Sequence, residues 1–180
     1  LKHEIDRYLK GRKSETYKET PLYLSEGQMY VHYNKGGLIN YSTADYIGFS
    51  RFDGVLKEFL RNYGYKSLPY PTPLDFLSML YPAIPDTLLN QIRGWYERII
   101  VYDFKVDNFK YENGLVIASY TFRKFEYDEK GNEKEIKPDD IVEVGFYKGN
   151  DLKETKRVRV MGTNGELRIN LNFKPDKVVL

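Results

Sequence analysis

Apolar residues recur at helical spacing through the first half of the chain. The clearest segment follows Arg51, where apolar side chains fall three or four residues apart and Gly64 stands as a stop signal. A second segment starts near Asp86, its expected cap, and a third opens the chain, with Gly11 as the expected cap. We predict helices at these three places, with apolar positions at Leu1, Ile5, Tyr8, Leu9, Phe52, Val55, Leu56, Phe59, Leu60, Tyr63, Leu88, Ile92, Trp95 and Tyr96.

Capping residues and glycines mark the remaining elements of this half. Thr72, Pro73 and Asp75 have the order of a capping box with proline at the first helical position, so a short helix is expected to follow. Another helix is expected from about residue 33 to residue 46, where Gly48 would close it. Residues 11–28 have no sustained period and are interpreted as a loop.

The period of the pattern changes to two from Arg98 onward. Apolar and polar side chains alternate after this residue, as expected for strands with one buried face. The pair Asn113-Gly114 is a strong hairpin signal, and further turn sequences lie at DEKGNE, KGND and TNG. The strands between them are predicted near residues 102–106, 115–125, 141–147, 157–160 and 167–173. Short strands at this spacing are typical of a β-sandwich.

These patterns predict an α+β chain in two parts. Residues 1–98 form the helical part and residues 99–180 form the β-sandwich domain. The sequence has no internal repeat and no low-complexity tract. It opens on Leu1 and ends on an apolar run, from which we expect a segment of a longer protein.

Composition excludes several classes of protein. The 28 basic and 26 acidic residues nearly cancel, so the overall charge favours neither nucleic acid nor an anionic membrane, and no nucleic-acid partner is expected. No apolar run reaches the length of about 18 residues needed to span a membrane, and the charged start is unlike a signal peptide, so a soluble segment is expected. The absence of cysteine excludes disulfides and thiolate metal sites.

No motif in the chain predicts a metal site. HEIDR, residues 3–7, begins like the zinc signature HExxH, but Arg7 stands where the second histidine is required and a guanidinium cannot bind a metal. The other histidine, His32, has no partner at a ligand spacing and is interpreted as an exposed or satisfied side chain. We therefore expect no cofactor bound by this chain itself.

Other catalytic patterns are equally incomplete. Gly36-Gly37 follows a lysine but lacks the spacing of a phosphate-binding loop, and no serine or threonine has a histidine and an acid at a known triad spacing. The carboxylate pairs Asp128-Glu129 and Asp139-Asp140 are interpreted as turn residues without a catalytic role. Spacing alone gives no complete active site.

Several local patterns, in their order along the chain, resemble the M1 family of metallo-aminopeptidases. YVHYNKGGLINYSTADYIG, followed by FDGVLKEFLRNYG, resembles the region after the zinc site, with its Y-x-K-G element, its helix and its D-Y-I-G turn. IDRYLKGR, PYPTPLDFLSMLYPAIPDTL and WYERIIVYDFKV are similar to the peptidase portion of bacterial proteins that join an ABC-type permease to an M1 domain. The resemblance covers essentially the whole chain. It implies the α-helical tail of a thermolysin-like catalytic domain followed by an immunoglobulin-like antiparallel β-sandwich.

The resemblance assigns one catalytic residue, Tyr33. In that family the tyrosine of the Y-x-K-G element donates a hydrogen bond to the tetrahedral intermediate that forms when zinc-bound water attacks the peptide carbonyl. A phenol is protonated at neutral pH and can donate to an oxyanion, so the role is chemically sensible. His32, Lys35 and Gly36 are expected to shape and pack the turn.

The family's zinc ligands have no counterpart in this chain and would precede Leu1. The resemblance therefore implies a fragment that is inactive alone, with zinc held only by the intact protein. Expected partners are the missing N-terminal catalytic half, a peptide substrate and an ABC permease, through which the intact protein would be associated with a membrane. An excised fragment is also expected to self-associate through uncovered apolar surface. A helical and β-sandwich interaction module without catalysis, belonging to a transporter-associated protein, remains the alternative.

Overall fold

The computed structural model describes residues 1–14 and 18–180, which form a mixed α+β protein with antiparallel sheets. The expected α+β class is confirmed. The chain divides into two compact units, the first made of residues 1–99 and 127–132 and the second of residues 100–126 and 133–180. No helix within the described ranges is both long and apolar enough to cross a membrane.

The first unit is helical. Its elements are α1 (Lys2–Ser14), a 3₁₀ turn (Leu22–Leu24), a π-helical turn (Tyr30–Lys35), α2 (Gly36–Ile47), α3 (Phe49–Tyr63), α4 (Pro73–Leu80), a 3₁₀ turn (Tyr81–Ala83) and α5 (Asp86–Glu97).

Two of these helices match their predicted signals closely. Helix α3 buries Phe52 and Val55 and ends at Tyr63, with Gly64 after it as expected. Helix α4 begins at Pro73 behind a complete capping box, in which the backbone N–H of Asp75 donates to the Thr72 hydroxyl and the Asp75 carboxylate accepts from the Thr72 N–H. Both helix ends are therefore set by local chemistry.

Three predicted helix and loop boundaries were wrong. Helix α1 continues through Gly11 to Ser14, so Gly11 is not a cap and the predicted loop starts later. A Cβ on Gly11 would collide with the Cβ of Tyr30, so the glycine allows a close approach between the α1 backbone and this side chain. Asp86 is the first residue of α5 and makes no side-chain cap, because Pro85 occupies the position before it. The predicted loop also includes residues 15–17, which lie outside the described residues.

The second unit is built from strands. They are β1 (Ile99–Glu112), β2 (Leu115–Tyr127), β3 (Glu133–Ile136), β4 (Asp139–Lys148), β5 (Asp151–Met161), β6 (Asn164–Asn170) and β7 (Lys177–Val179). One sheet has the order β1-β2-β3, with β6 also paired to β2, and the other has the order β5-β4-β7. Strands β3 and β7 were not predicted, because a four-residue polar strand and a three-residue strand carry too little alternation.

Buried residues of both sheets form one core cluster. Strand β2 contributes alternate side chains, including Val116 and Phe122, while Val144 and Phe146 come from β4. Asn113 and Gly114 have φ values of 50° and 83°, the left-handed conformation that a tight two-residue hairpin turn needs. The predicted hairpin is therefore present.

Candidate functional site

The Y-x-K-G element begins within a π-helical turn. Residues Tyr30–Lys35 are π-helical, and the backbone N–H of Gly36 donates to the carbonyls of Val31 and Tyr33 as the turn passes into α2. Such wide turns are rare and are frequent at functional sites. The predicted helix from residue 33 is present, but sequence periodicity did not distinguish its π-helical start from an ordinary α-helical turn.

Tyr33 lies on the outer side of this turn. Its side chain is 62% exposed, and its ring centroid is 4.8 Å from that of His32, which is also exposed. Its hydroxyl makes no hydrogen bond to any residue within 1–14 or 18–180. The phenol is thus a donor that a bound molecule could reach.

Lys35, two residues later, is buried on the opposite side. Its ammonium donates to the carboxylate of Glu19, which also accepts from the guanidinium of Arg12 and, at 3.0 Å, from the hydroxyl of Tyr8. Glu19 and Lys35 are each 6% exposed. We call Tyr8, Arg12, Glu19 and Lys35 the Glu19 cluster. It joins α1 and the π-helical turn to the segment that precedes the turn.

Burial determines the protonation behaviour of the Glu19 cluster. It lowers the pKa of the Lys35 ammonium, against the attraction of Glu19. It also raises the pKa of the Tyr8 phenol, and the neighbouring Glu19 carboxylate adds to this effect. The arrangement keeps Tyr8 as a neutral donor to the carboxylate. Because a buried carboxylate with three donors is geometrically demanding, the cluster fixes the position of Lys35.

Further contacts hold the turn against α1. The side-chain amide of Asn34 donates to the carboxylate of Glu4 at 2.5 Å. Tyr30 and Val31 are buried, and the Tyr30 ring lies 6.2 Å from the Tyr8 ring. The inward residues of the turn are therefore anchored, while His32 and Tyr33 face outward.

A cavity of about 190 Å³ lies beside His32. Its polar lining includes His32, Ser25, Asn40 and Tyr96 among mainly apolar side chains. The Tyr96 hydroxyl donates to Asn40 Oδ1 at 2.8 Å, and burial raises the pKa of Tyr96 to about 12. The Ser25 hydroxyl is buried without a hydrogen-bond partner in the described part of the chain. Apolar walls with a few polar atoms suit a small, mostly apolar group.

No metal centre is present among the described residues. No group of three histidine, aspartate or glutamate side chains in residues 1–14 and 18–180 is close enough to hold a metal ion. His3 and Arg7 lie one turn apart on α1, in which no residue is buried. The described residues therefore do not fit a zinc ion, and we derive no step through one.

Sequence reasoning missed two buried ionic groups. The Glu19 cluster had no local signal, because Glu19 lies in a polar stretch without a motif and Lys35 was assigned only to packing. Asp140 was interpreted as a turn residue, which was wrong. It lies on β4, is 2% exposed and accepts from Lys124 at 2.8 Å and from the hydroxyl of Tyr102 at 3.1 Å. Its role there is to connect strands.

Comparison with known proteins adds no family assignment. The sequence matches no protein-family model, and no curated protein is significantly similar to it. The functional interpretation is therefore built on the residues and contacts of the π-helical turn.

Proposed function

We propose that this chain is the C-terminal portion of an M1-like zinc metallo-aminopeptidase of the kind associated with a bacterial ABC permease. The helical unit would be the tail of a thermolysin-like catalytic domain, and the strands would form an immunoglobulin-like β-sandwich. One observation carries the proposal: the tyrosine of the Y-x-K-G element is exposed, its hydroxyl has no hydrogen bond within the described residues, and it lies on a rare π-helical turn whose lysine is buried and anchored. The intact protein would hydrolyse the N-terminal peptide bond of its substrate.

Tyr33 would act as a hydrogen-bond donor to the oxyanion that develops on the scissile carbonyl. A donor of this kind lowers the barrier most when it is already in place before charge develops. The Glu19 cluster provides this preorganisation by fixing Lys35 and, through the backbone of the turn, the direction of Tyr33. The ligands of the zinc ion and the site for the substrate amine would come from the part of the longer protein that precedes Leu1.

Kinetics of a Tyr33→Phe variant of the longer protein test this role. The substitution keeps the ring and removes the donor, so kcat should fall by about 10²- to 10³-fold while KM changes little. Zinc content and melting temperature should match the wild type, because the Tyr33 hydroxyl makes no hydrogen bond within the described residues. Tyr41→Phe, an equally conservative change at another exposed tyrosine of the same helical region, serves as the control. Full activity of the Tyr33→Phe variant would remove Tyr33 from the mechanism.

A non-catalytic interaction module is the second candidate. The N-terminal helix favours it, because Leu1, just before α1, and Ile5 and Leu9 within α1 recur every four residues and are between 43% and 65% exposed. An apolar stripe of this kind is commonly covered by another surface. The two candidates differ in the preceding sequence, which must contain HExxH and a third zinc ligand if the protein is a peptidase.

The isolated chain has its own test. It is expected to retain no stoichiometric zinc after dialysis and to release no N-terminal residue from peptides, because a catalytic zinc needs three protein ligands and an open position. Chelator-sensitive peptidase activity in the isolated chain would contradict the proposal that the ligands come from elsewhere.

A further inference from the structure

The loop between α3 and α4, residues 64–72, has its two ends held together. Hydrogen bonds from Thr72 and the nearby Tyr63 side chain lower the pKa of the Asp75 carboxyl, which closes the capping box of α4. Phe59 and Phe76 are in edge-to-face contact with their ring centroids 5.6 Å apart, and the Phe59 ring lies 5.0 Å from that of Tyr63. These contacts hold the two ends of the loop close together in fixed positions.

Large apolar side chains are concentrated and exposed along this loop and its flanks. Each of them is at least 59% exposed, and Tyr65 is as open as in an extended chain. All of them lie between residues 60 and 74. Such a concentration indicates a binding surface, whereas isolated exposed apolar residues need no explanation. We call the set the loop patch: Leu60, Tyr65, Leu68, Tyr70 and Leu74.

Cations surround the loop patch. Lys57 and Arg61 lie one turn apart on the face of α3 that carries Leu60, and Lys66 lies in the loop itself. None of the three makes an ion pair with a residue inside the described ranges. Although the chain as a whole is nearly neutral, the electrostatic potential near the loop is therefore expected to be positive.

The nearby acids offset these cations only partly. Glu58 lies two positions before Leu60 in α3, so its side chain points to the side of the helix opposite Leu60. Asp75 is directed into the capping box, where the backbone N–H and the hydroxyl of Thr72 donate to its carboxylate. Asp53 lies one turn before Lys57 and about two turns, or roughly 10 Å, before Leu60, so it offsets the charge of Lys57 in part but lies away from the loop.

We propose that the loop patch binds the surface of a membrane that contains anionic lipids. Tyrosine rings favour the headgroup region, exposed leucines insert just below it, and lysine and arginine attract anionic headgroups. Leu68, between Tyr65 and Tyr70 at the loop tip, would enter deepest. A protruding tip with cations around it suits a bilayer better than the groove of a protein, which would require a long continuous apolar face. This inference is independent of peptidase activity.

Vesicle sedimentation of the full chain tests the charge requirement. The chain should bind phosphatidylcholine vesicles that contain phosphatidylglycerol and should not bind pure phosphatidylcholine vesicles. Replacing Lys57, Arg61 and Lys66 with glutamine should weaken binding by about fivefold per residue, from about 1 kcal/mol for each cation near an anionic surface. Lys10→Gln, at an exposed cation of α1, is the matched control and should bind as the wild type.

The apolar requirement is tested by a Tyr65→Ser, Leu68→Ser, Tyr70→Ser triple variant. It should lose vesicle binding yet keep its melting temperature, because these side chains are exposed. Met161→Ser, an equally exposed apolar position on β5, should bind normally. Failure of the wild type to bind anionic vesicles, or unchanged binding by the triple variant, would overturn the proposal.

A single fluorescent label locates the inserted residue. The chain has no cysteine, so Leu68→Cys and Met161→Cys can each be labelled uniquely with an environment-sensitive dye. Anionic vesicles should shift the emission to shorter wavelength for the label at position 68 and leave the label at position 161 unchanged. Vesicle binding without a shift at position 68 would overturn the proposal. A dimer in sedimentation velocity that the loop substitutions dissolve would also overturn it, since the loop would then be a protein interface.

Discussion

Replacing Glu19 with glutamine is expected to destabilise the helical unit by about 3 kcal/mol, since breaking a buried ion pair by removing one partner costs about 3–5 kcal/mol. The Glu19 side chain is only 4% exposed, and the side chains of Lys35 and Arg12 are 8% and 22% exposed. Arg12 can turn toward solvent and recover part of its hydration, whereas Lys35 cannot. Glutamine keeps the shape and one acceptor, which places the cost at the lower end of the range.

The reverse change, Lys35→Met, should cost less. It leaves Glu19 with two donors, Arg12 and Tyr8, and removes a buried cation whose desolvation is unfavourable. The lost charge-assisted hydrogen bond is worth about 1.5–3 kcal/mol, part of which is returned by the apolar replacement. In the double variant the methionine removes the lysine that glutamine had left unpaired. The two effects should therefore fall short of additivity by about 1 kcal/mol or more.

Urea denaturation followed by the fluorescence of Trp95 measures the free energy of unfolding of the helical unit for each variant. Trp95 is the one tryptophan of the sequence and lies on α5, where it packs against Tyr46 with ring centroids 5.5 Å apart. Glu135→Gln, which breaks an exposed pair with Arg123 on the sheet, should leave the transition unchanged. If Lys35→Met proves more costly than Glu19→Gln, or if the double variant is additive, the cluster is not held by Glu19 as argued.

Three further substitutions test packing and titration. Gly11→Ala should destabilise the helical unit by about 1–3 kcal/mol in the same urea denaturation, because its Cβ would collide with Tyr30. Gly54→Ala in α3 has open space around its Cβ and should stabilise the unit by about 0.5–1 kcal/mol. Tyr96 is neutral in the fold up to about pH 12, so its contribution to stability is fully present below pH 10 and is lost as the pH rises toward 12. Tyr96→Phe should therefore reduce the loss of stability between pH 10 and pH 12, by at most about 1.4 kcal/mol per pH unit. Urea denaturation at several pH values in this range measures it, and the same dependence of unfolding free energy on pH as in the wild type would contradict the raised pKa of Tyr96.

The sequence predicted the fold where local chemistry determines structure. The capping box at Thr72, the glycine after α3 and the Asn113-Gly114 hairpin each depend on residues within a few positions, and all three are present. The strand predicted at residues 115–125 also corresponds to β2, since it follows directly from this hairpin signal. The short strands β3 and β7 depend on pairing with strands far along the chain, so the local pattern could not reveal them.

The surroundings of the candidate site could not be predicted in this way. The Y-x-K-G element identifies Tyr33 and Lys35, but the carboxylate that pairs with Lys35 is 16 positions earlier in a stretch without periodicity. Likewise, Gly11 has the appearance of a helix cap until the position of Tyr30 is known. Burial of a charge is a tertiary property, and a sequence pattern can show only that such a charge requires a partner.

The buried lysine and the exposed tyrosine of the turn have a common geometric cause. Residues two positions apart on a helical turn point to nearly opposite sides, so any contact that fixes Lys35 inward also fixes Tyr33 outward. A lysine provides this constraint more strongly than an apolar residue would, because its charge must meet Glu19 and cannot accept another position in the core. The Glu19 cluster therefore contributes more orientation than stability. In the proposed role, a site that presents a donor before charge develops requires this property, and the π-helical turn provides it while leaving Tyr33 62% exposed.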